Sequence, residues 1–98
     1  GLMTLQDIRS ARRDEILKLA AKRGAKNVRV FGSVARGDSD ERSDVDFLVE
    51  MEPGRTLFDL SGLLLDLEAA LHTPVDVVTE KGLRPRVRER VLAEAVPL

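Results

Sequence analysis

The chain is expected to fold as a small α/β (α+β) domain, a mixed three-stranded sheet covered by helices. Three observations predict this. The 98 residues suffice for one core. Three short valine-rich runs, around Val28, Val45 and Val75, have the length and composition of strands. Between and around them lie longer segments whose apolar residues recur at helical spacing. The expected order is α-β-(short α)-β-α-β-α.

The first helix is expected over 5–23. Thr4 is its N-cap and Asp7 the acid of a variant capping box, with Met3 and Ile8 as a hydrophobic staple. Ile8, Ala11, Ile16, Leu19 and Ala20 form its stripe, and Gly24 stops it after Lys22 and Arg23. A strand follows over 27–31, ending at Gly32. Residues 33–36 make one helical turn, closed by Gly37, and 38–43 is a charged loop. The second strand covers 45–49, and Pro53-Gly54 turns the chain. Thr56 with Asp59 caps a second long helix with Leu60, Leu63, Leu64, Leu67 and Leu71 on one stripe; Gly62 inside it lowers helix propensity. Pro74 opens a strand over 75–78. The last helix, 83–95, turns Val87, Val91 and Leu92 inward, shows solvent a face of Arg84, Arg86, Arg88 and Arg90, and ends at Pro97. No internal repeat or low-complexity linker interrupts this order, so residues 1–98 read as a single domain. Gly1 and Leu2 precede a methionine and read as an appended scar.

Composition narrows the function. Charged residues make up 34% of the chain and its net charge is −1, so it is not a basic nucleic-acid binder. Three phenylalanines are its only aromatics, too few for a base-stacking platform. Without cysteine there is no thiolate ligand, thiol nucleophile or disulfide, which agrees with the cytoplasm. No apolar run approaches the roughly 20 residues of a membrane span, and no signal peptide is visible.

Chemistry gathers in the middle of the sequence. Asp44 and Asp46 are two apart at a strand edge, so both side chains point to one face. Paired carboxylates repel unless a cation lies between them, and their hard oxygens suit Mg²⁺. Asp76 stands inside the apolar run Val75-Val77-Val78, where burial is costly unless the acid is paired or metal-bound. A neighbouring third strand would bring it to the same cluster. Upstream, Gly32, Ser33, Arg36 and Gly37 mark a close turn into a helix, with backbone N–H groups, a hydroxyl and a guanidinium to receive phosphate. Taken singly, each residue has a plainer reading. An Asp-x-Asp pair is commonly a solvated turn, and Gly32-Ser33 lacks the Lys of a Walker loop. The 38–43 loop departs from an EF-hand at Arg42 and Ser43. His72 reads as a helix C-terminal charge partner.

Their order is more specific. Gly32-Ser33, Arg36-Gly37, Ser43-Asp44-Val45-Asp46 and a later Asp76 resemble the signature of the DNA polymerase β-type nucleotidyltransferases, in particular the minimal nucleotidyltransferase branch. The resemblance spans essentially the whole chain. It implies two Mg²⁺ ions held by Asp44, Asp46 and Asp76, and a nucleoside triphosphate, ATP, bound through Gly32, Ser33, Arg36, Gly37 and Ser43. It also implies that Asp76 helps to orient or deprotonate the acceptor hydroxyl. With no room for an acceptor-binding domain, the acceptor must come from another molecule. The branch implies a HEPN-domain toxin as partner, AMP transfer to its hydroxyl, a tyrosine first of all, and an antitoxin role in a complex with it. The rival readings are an antitoxin that acts by binding alone and an enzyme that modifies a small antibiotic.

Overall fold

The computed structural model describes residues 2–98; of the expected scar, Gly1 lies outside them and Leu2 is exposed. Two short helices, α1 (Leu5–Arg9) and α2 (Arg13–Lys22), lead into β1 (Ala25–Phe31). A single helical turn, α3 (Gly32–Arg36), starts directly from the end of β1. The loop to Asp44 then gives β2 (Val45–Met51), α4 (Leu57–Leu71) and β3 (Val75–Thr79). A 3₁₀ turn at Glu80–Gly82 precedes α5 (Pro85–Glu94) and β4 (Val96–Pro97).

Local chemistry accounts for the helix starts. The Thr4 hydroxyl accepts from the Asp7 N–H, and the Asp7 carboxylate accepts from the Thr4 N–H. Thr56 and Asp59 repeat the device at α4. The single helix expected over 5–23 is instead broken at Ser10–Arg12. The Ser10 hydroxyl bonds back to the Gln6 carbonyl, and the backbone leaves the helical region there. The break lets the Arg12 guanidinium reach the Ala70 carbonyl near the end of α4.

Among the described residues the sheet has four strands, in the order β3-β2-β1-β4. The β2–β3 pair is parallel, with α4 as its crossover, and the other two pairs are antiparallel. The mixed sheet was anticipated; its fourth strand was not. β4 pairs Val96 with Val30 and Pro97 with Arg29, so Pro97 does not merely end α5. Two residues are too few to show alternation, and proline is tolerated because the strand lies at the sheet edge.

One face of the sheet makes the main core. Val28 and Val30, Val45, Phe47 and Val49, and Val75 and Val77 pack with Ile8, Ile16, Ala20, Leu63, Leu67 and Leu71. Leu48, also fully buried, points to the other face, where Val91 of α5 is buried too. Leu92, expected inward, is 43% exposed, because Val87 and Val91 already define the inward stripe of α5 and Leu92 falls beside it. No helix of the described residues is long and apolar enough to cross a membrane.

Candidate active site

The site forms where three strands end on the face opposite the main core. In β2, alternation sends Val45 and Phe47 inward and Asp46 outward. The parallel pairing with β3 sets Asp46 directly beside Asp76, and the antiparallel pairing with β1 sets it beside Phe31. Asp44 lies one residue before β2. Its charge reaches Asp46.

Asp46 is the centre of the cluster. Partial burial pushes its carboxyl up to about 6, and the charges of Asp76, Asp44 and Glu94 push the same way, with Arg36 opposing them. Asp44 and Asp76 are both exposed. Asp76 is thus not the buried acid its apolar neighbours suggested, because it points away from the face on which Val75 and Val77 pack. Among the described residues no three acids or histidines converge into a closed metal cage. The donor set nonetheless fits a hard divalent cation, since it offers carboxylate oxygens on one face and a net negative field at Asp46.

Gly32 presses the helical turn against this cluster. Its φ is +76°, and a Cβ there would lie 2.2 Å from Asp46 Oδ2. Both backbone conformation and space therefore require glycine. Gly37 closes α3 in the left-handed conformation at φ +81°. Ser33 holds the turn through its carbonyl, which accepts from the Gly37 and Asp38 N–H groups.

Two expected phosphate ligands are engaged elsewhere. The Arg36 Nε donates to Asp38 Oδ2 at 3.2 Å and its Nη1 donates to Glu94 Oε2 at 3.1 Å. The Ser43 hydroxyl accepts from the Asp40 N–H at 2.9 Å and braces the charged loop. It lines a different hollow, with Ser39, Asp40 and Glu41. His72 caps α4 with its backbone in the left-handed region.

The sequence reading missed Glu94 and Arg90. Both line a cavity of about 450 Å³ shared with Gly32, Arg36 and Asp76. The available signal was helical spacing: Val87, Arg90, Val91 and Glu94 follow an i, i+3, i+4, i+7 stripe, so Arg90 belongs partly to the inward side of α5. Nothing in the local sequence says that this stripe meets Gly32, 62 residues earlier.

This arrangement resembles known proteins throughout its length. A solved structure provisionally assigned as a minimal nucleotidyltransferase is 55% identical, with a TM-score of 0.87, covering 100% of this chain and 99% of that one. Protein adenylyltransferase MntA of Thermococcus cleftensis is 36% identical over 96 residues, 98% of this chain and 97% of the relative. At the level of fold alone, a Shewanella oneidensis complex of a tri-AMPylated HEPN toxin with its MNT antitoxin matches with a TM-score of 0.70 and 19% identity, covering 91% of this chain and 70% of that one. The model of the nucleotidyltransferase domain family matches residues 13–98, which contain Asp44, Asp46, Asp76, Glu94 and the whole Gly32–Arg36 turn, and the chain belongs to that family.

Proposed function

We propose that this nucleotidyltransferase moves AMP from ATP to a hydroxyl of a HEPN-domain toxin, a tyrosine first of all, and thereby acts as its antitoxin. The observation that carries the proposal is the registered pair Asp46–Asp76, with the Gly32 turn packed against Asp46. It sets carboxylate oxygens next to backbone and guanidinium donors, the two halves of a phosphate-transfer site. The relationship to protein adenylyltransferase MntA supports AMP and a protein acceptor.

In this reading Asp44, Asp46 and Asp76 hold two Mg²⁺ ions, which when bound supply charge to the phosphates and to the entering and leaving oxygens. Gly32, Ser33 and Arg36 receive the outer phosphates. Asp76, exposed at the rim, faces the acceptor and orients its hydroxyl or takes its proton. Gly37 and Ser43 serve indirectly, by fixing the ends of the turn and of the loop that delivers Asp44. The chain has no tyrosine, so a tyrosine acceptor has to come from the partner.

The test is intact-mass measurement after incubation with ATP, Mg²⁺ and a HEPN-domain toxin, first of all one encoded by a neighbouring gene where there is one. One or more AMP-sized increments should appear on the partner and vanish with Asp44→Asn plus Asp46→Asn. Neutralisation without added mass, undiminished in that double variant, would establish binding alone. Mass on a small antibiotic instead would establish drug modification.

A further inference from the structure

We propose that Glu94 is an internal stand-in for a nucleotide phosphate: its carboxylate occupies the Gly32 N–H and the Arg36 guanidinium, and nucleotide binding displaces it. The inference rests on the nucleotidyl-transfer reading and adds a residue to it that the motif does not contain.

The geometry is that of a captured anion. Glu94 Oε1 accepts from the Gly32 N–H at 3.0 Å, and Oε2 accepts from Arg36 Nη1 at 3.1 Å. Each oxygen takes a different donor, as two oxygens of one phosphate would. The side chain is mostly buried, at 21% exposed, and lines the cavity that also holds Asp76. The N-cap of α3 is Phe31, which has no side-chain acceptor, so the first N–H of the turn takes its partner from α5 instead.

The same placement is electrostatically awkward. Glu94 adds a further negative charge to the field at Asp46, alongside Asp44 and Asp76. A neutral Gln could satisfy the Gly32 N–H without that repulsion. An incoming triphosphate needs the Gly32 N–H, a single hydrogen that Glu94 already holds, and competes with Glu94 for Arg36 Nη1. The release requires only rotation of the glutamate side chain. Arg90, one turn earlier on the same stripe, lines the same cavity and makes no ion pair among the described residues. It gives the displaced carboxylate an i, i+4 partner. A Glu94 side chain rotated off Arg36 would find Arg90 as its alternative partner.

Calorimetric titration with a non-hydrolysable ATP analogue and Mg²⁺ tests this. Glu94→Gln should lower the Kd on the order of tenfold, because the competing charge-assisted bond to Arg36 is gone. An unchanged or higher Kd in a folded Glu94→Gln chain overturns the proposal and makes Glu94 a positioning residue. A second measurement needs no variant. In the wild-type chain, the carboxyl carbon resonance of Glu94 should shift as the analogue saturates the site; a static resonance while the Ser33 amide responds also overturns it. If neither wild type nor variant binds the analogue, the nucleotidyl-transfer reading fails and takes this inference with it. If the wild type binds and the variant binds no tighter, only the role of Glu94 fails.

Discussion

The two faces of β2 obey opposite rules. On one, Val45, Phe47 and Val49 are at most 1% exposed and pack into the main core. On the other, burial and the charges of Asp76, Asp44 and Glu94 push the Asp46 carboxyl up to about 6, which disfavours its ionised form. Adjacent residues of one strand thus separate stability from chemistry. The division teaches that an alternating strand lets a small domain carry a repulsive site without interrupting its core. It also sets the signs expected of substitutions on each side.

The largest effect is expected on the core face. Phe47→Ala removes a fully buried aromatic side chain and should cost about 3–5 kcal/mol. For a domain of this size that corresponds to a fall in Tm of roughly 12–40 °C. Urea unfolding measures it, and transferase activity should decline only with the folded fraction. A loss below about 1 kcal/mol would mean that the two faces are not energetically distinct.

Asp46→Asn should act with the opposite sign on stability. Asp46 holds its proton more tightly in the folded chain than in the unfolded one, so its ionisation opposes folding. Metal-free stability should therefore fall as pH rises from about 4, the ordinary value, to about 6, and the cost should be fully present above that. Because the carboxyl is only partly buried, solvent screening brings the full linkage value down to about 1–2 kcal/mol. Asp46→Asn should remove this fall, stabilise the metal-free chain at pH 7 and cut activity by more than about 100-fold. Thermal scans from pH 4 to 8 with and without Mg²⁺ check it. In the wild type Mg²⁺ should raise Tm at pH 7 and lose its effect as protons compete below about 6. A wild type and variant with parallel pH profiles would show that the Asp46 face carries no such cost.

What the sequence revealed divides along the same line. Features written in neighbouring residues were legible: both capping boxes, the alternation of β2 and the Gly37 stop. Asp76 was placed correctly beside Asp46 because β2, a helix and β3 form a parallel crossover unit. Features made by distant partners were not legible. The start of α4 is capped by its own Thr56 and Asp59, whereas the start of α3 is met by Glu94 from the far end of the chain. The β4 strand was hidden for the same reason, since only pairing with β1 makes Val96–Pro97 a strand. The break at Ser10–Arg12 goes with a contact from Arg12 to α4 that periodicity cannot show.

The smallest effect is expected at Gly62, and it sharpens the contrast with Gly32. Both glycines leave room for a side chain from elsewhere. At Gly32 the neighbour is the Asp46 carboxylate, fixed by a central strand, and the backbone is left-handed. At Gly62 the neighbour is the Arg23 guanidinium, whose Cζ would lie 2.5 Å from an added Cβ, on an ordinary helical backbone. Arg23 crosses α4 there to reach Asp66, with Nε donating to Oδ2 at 2.8 Å. Gly62→Ala gains about 1 kcal/mol of helix propensity. It also pushes Arg23 off that path and forfeits an ion pair worth at most about 1 kcal/mol at a partly exposed site. The two terms should cancel to within about 0.5 kcal/mol. Arg23→Gln separates them: it should destabilise the wild type and have almost no effect when combined with Gly62→Ala. If Gly62→Ala stabilises by its full helix term, and Arg23→Gln costs as much with it as without it, Arg23 keeps its pair despite the added Cβ. The glycine would then be a propensity defect with no packing role.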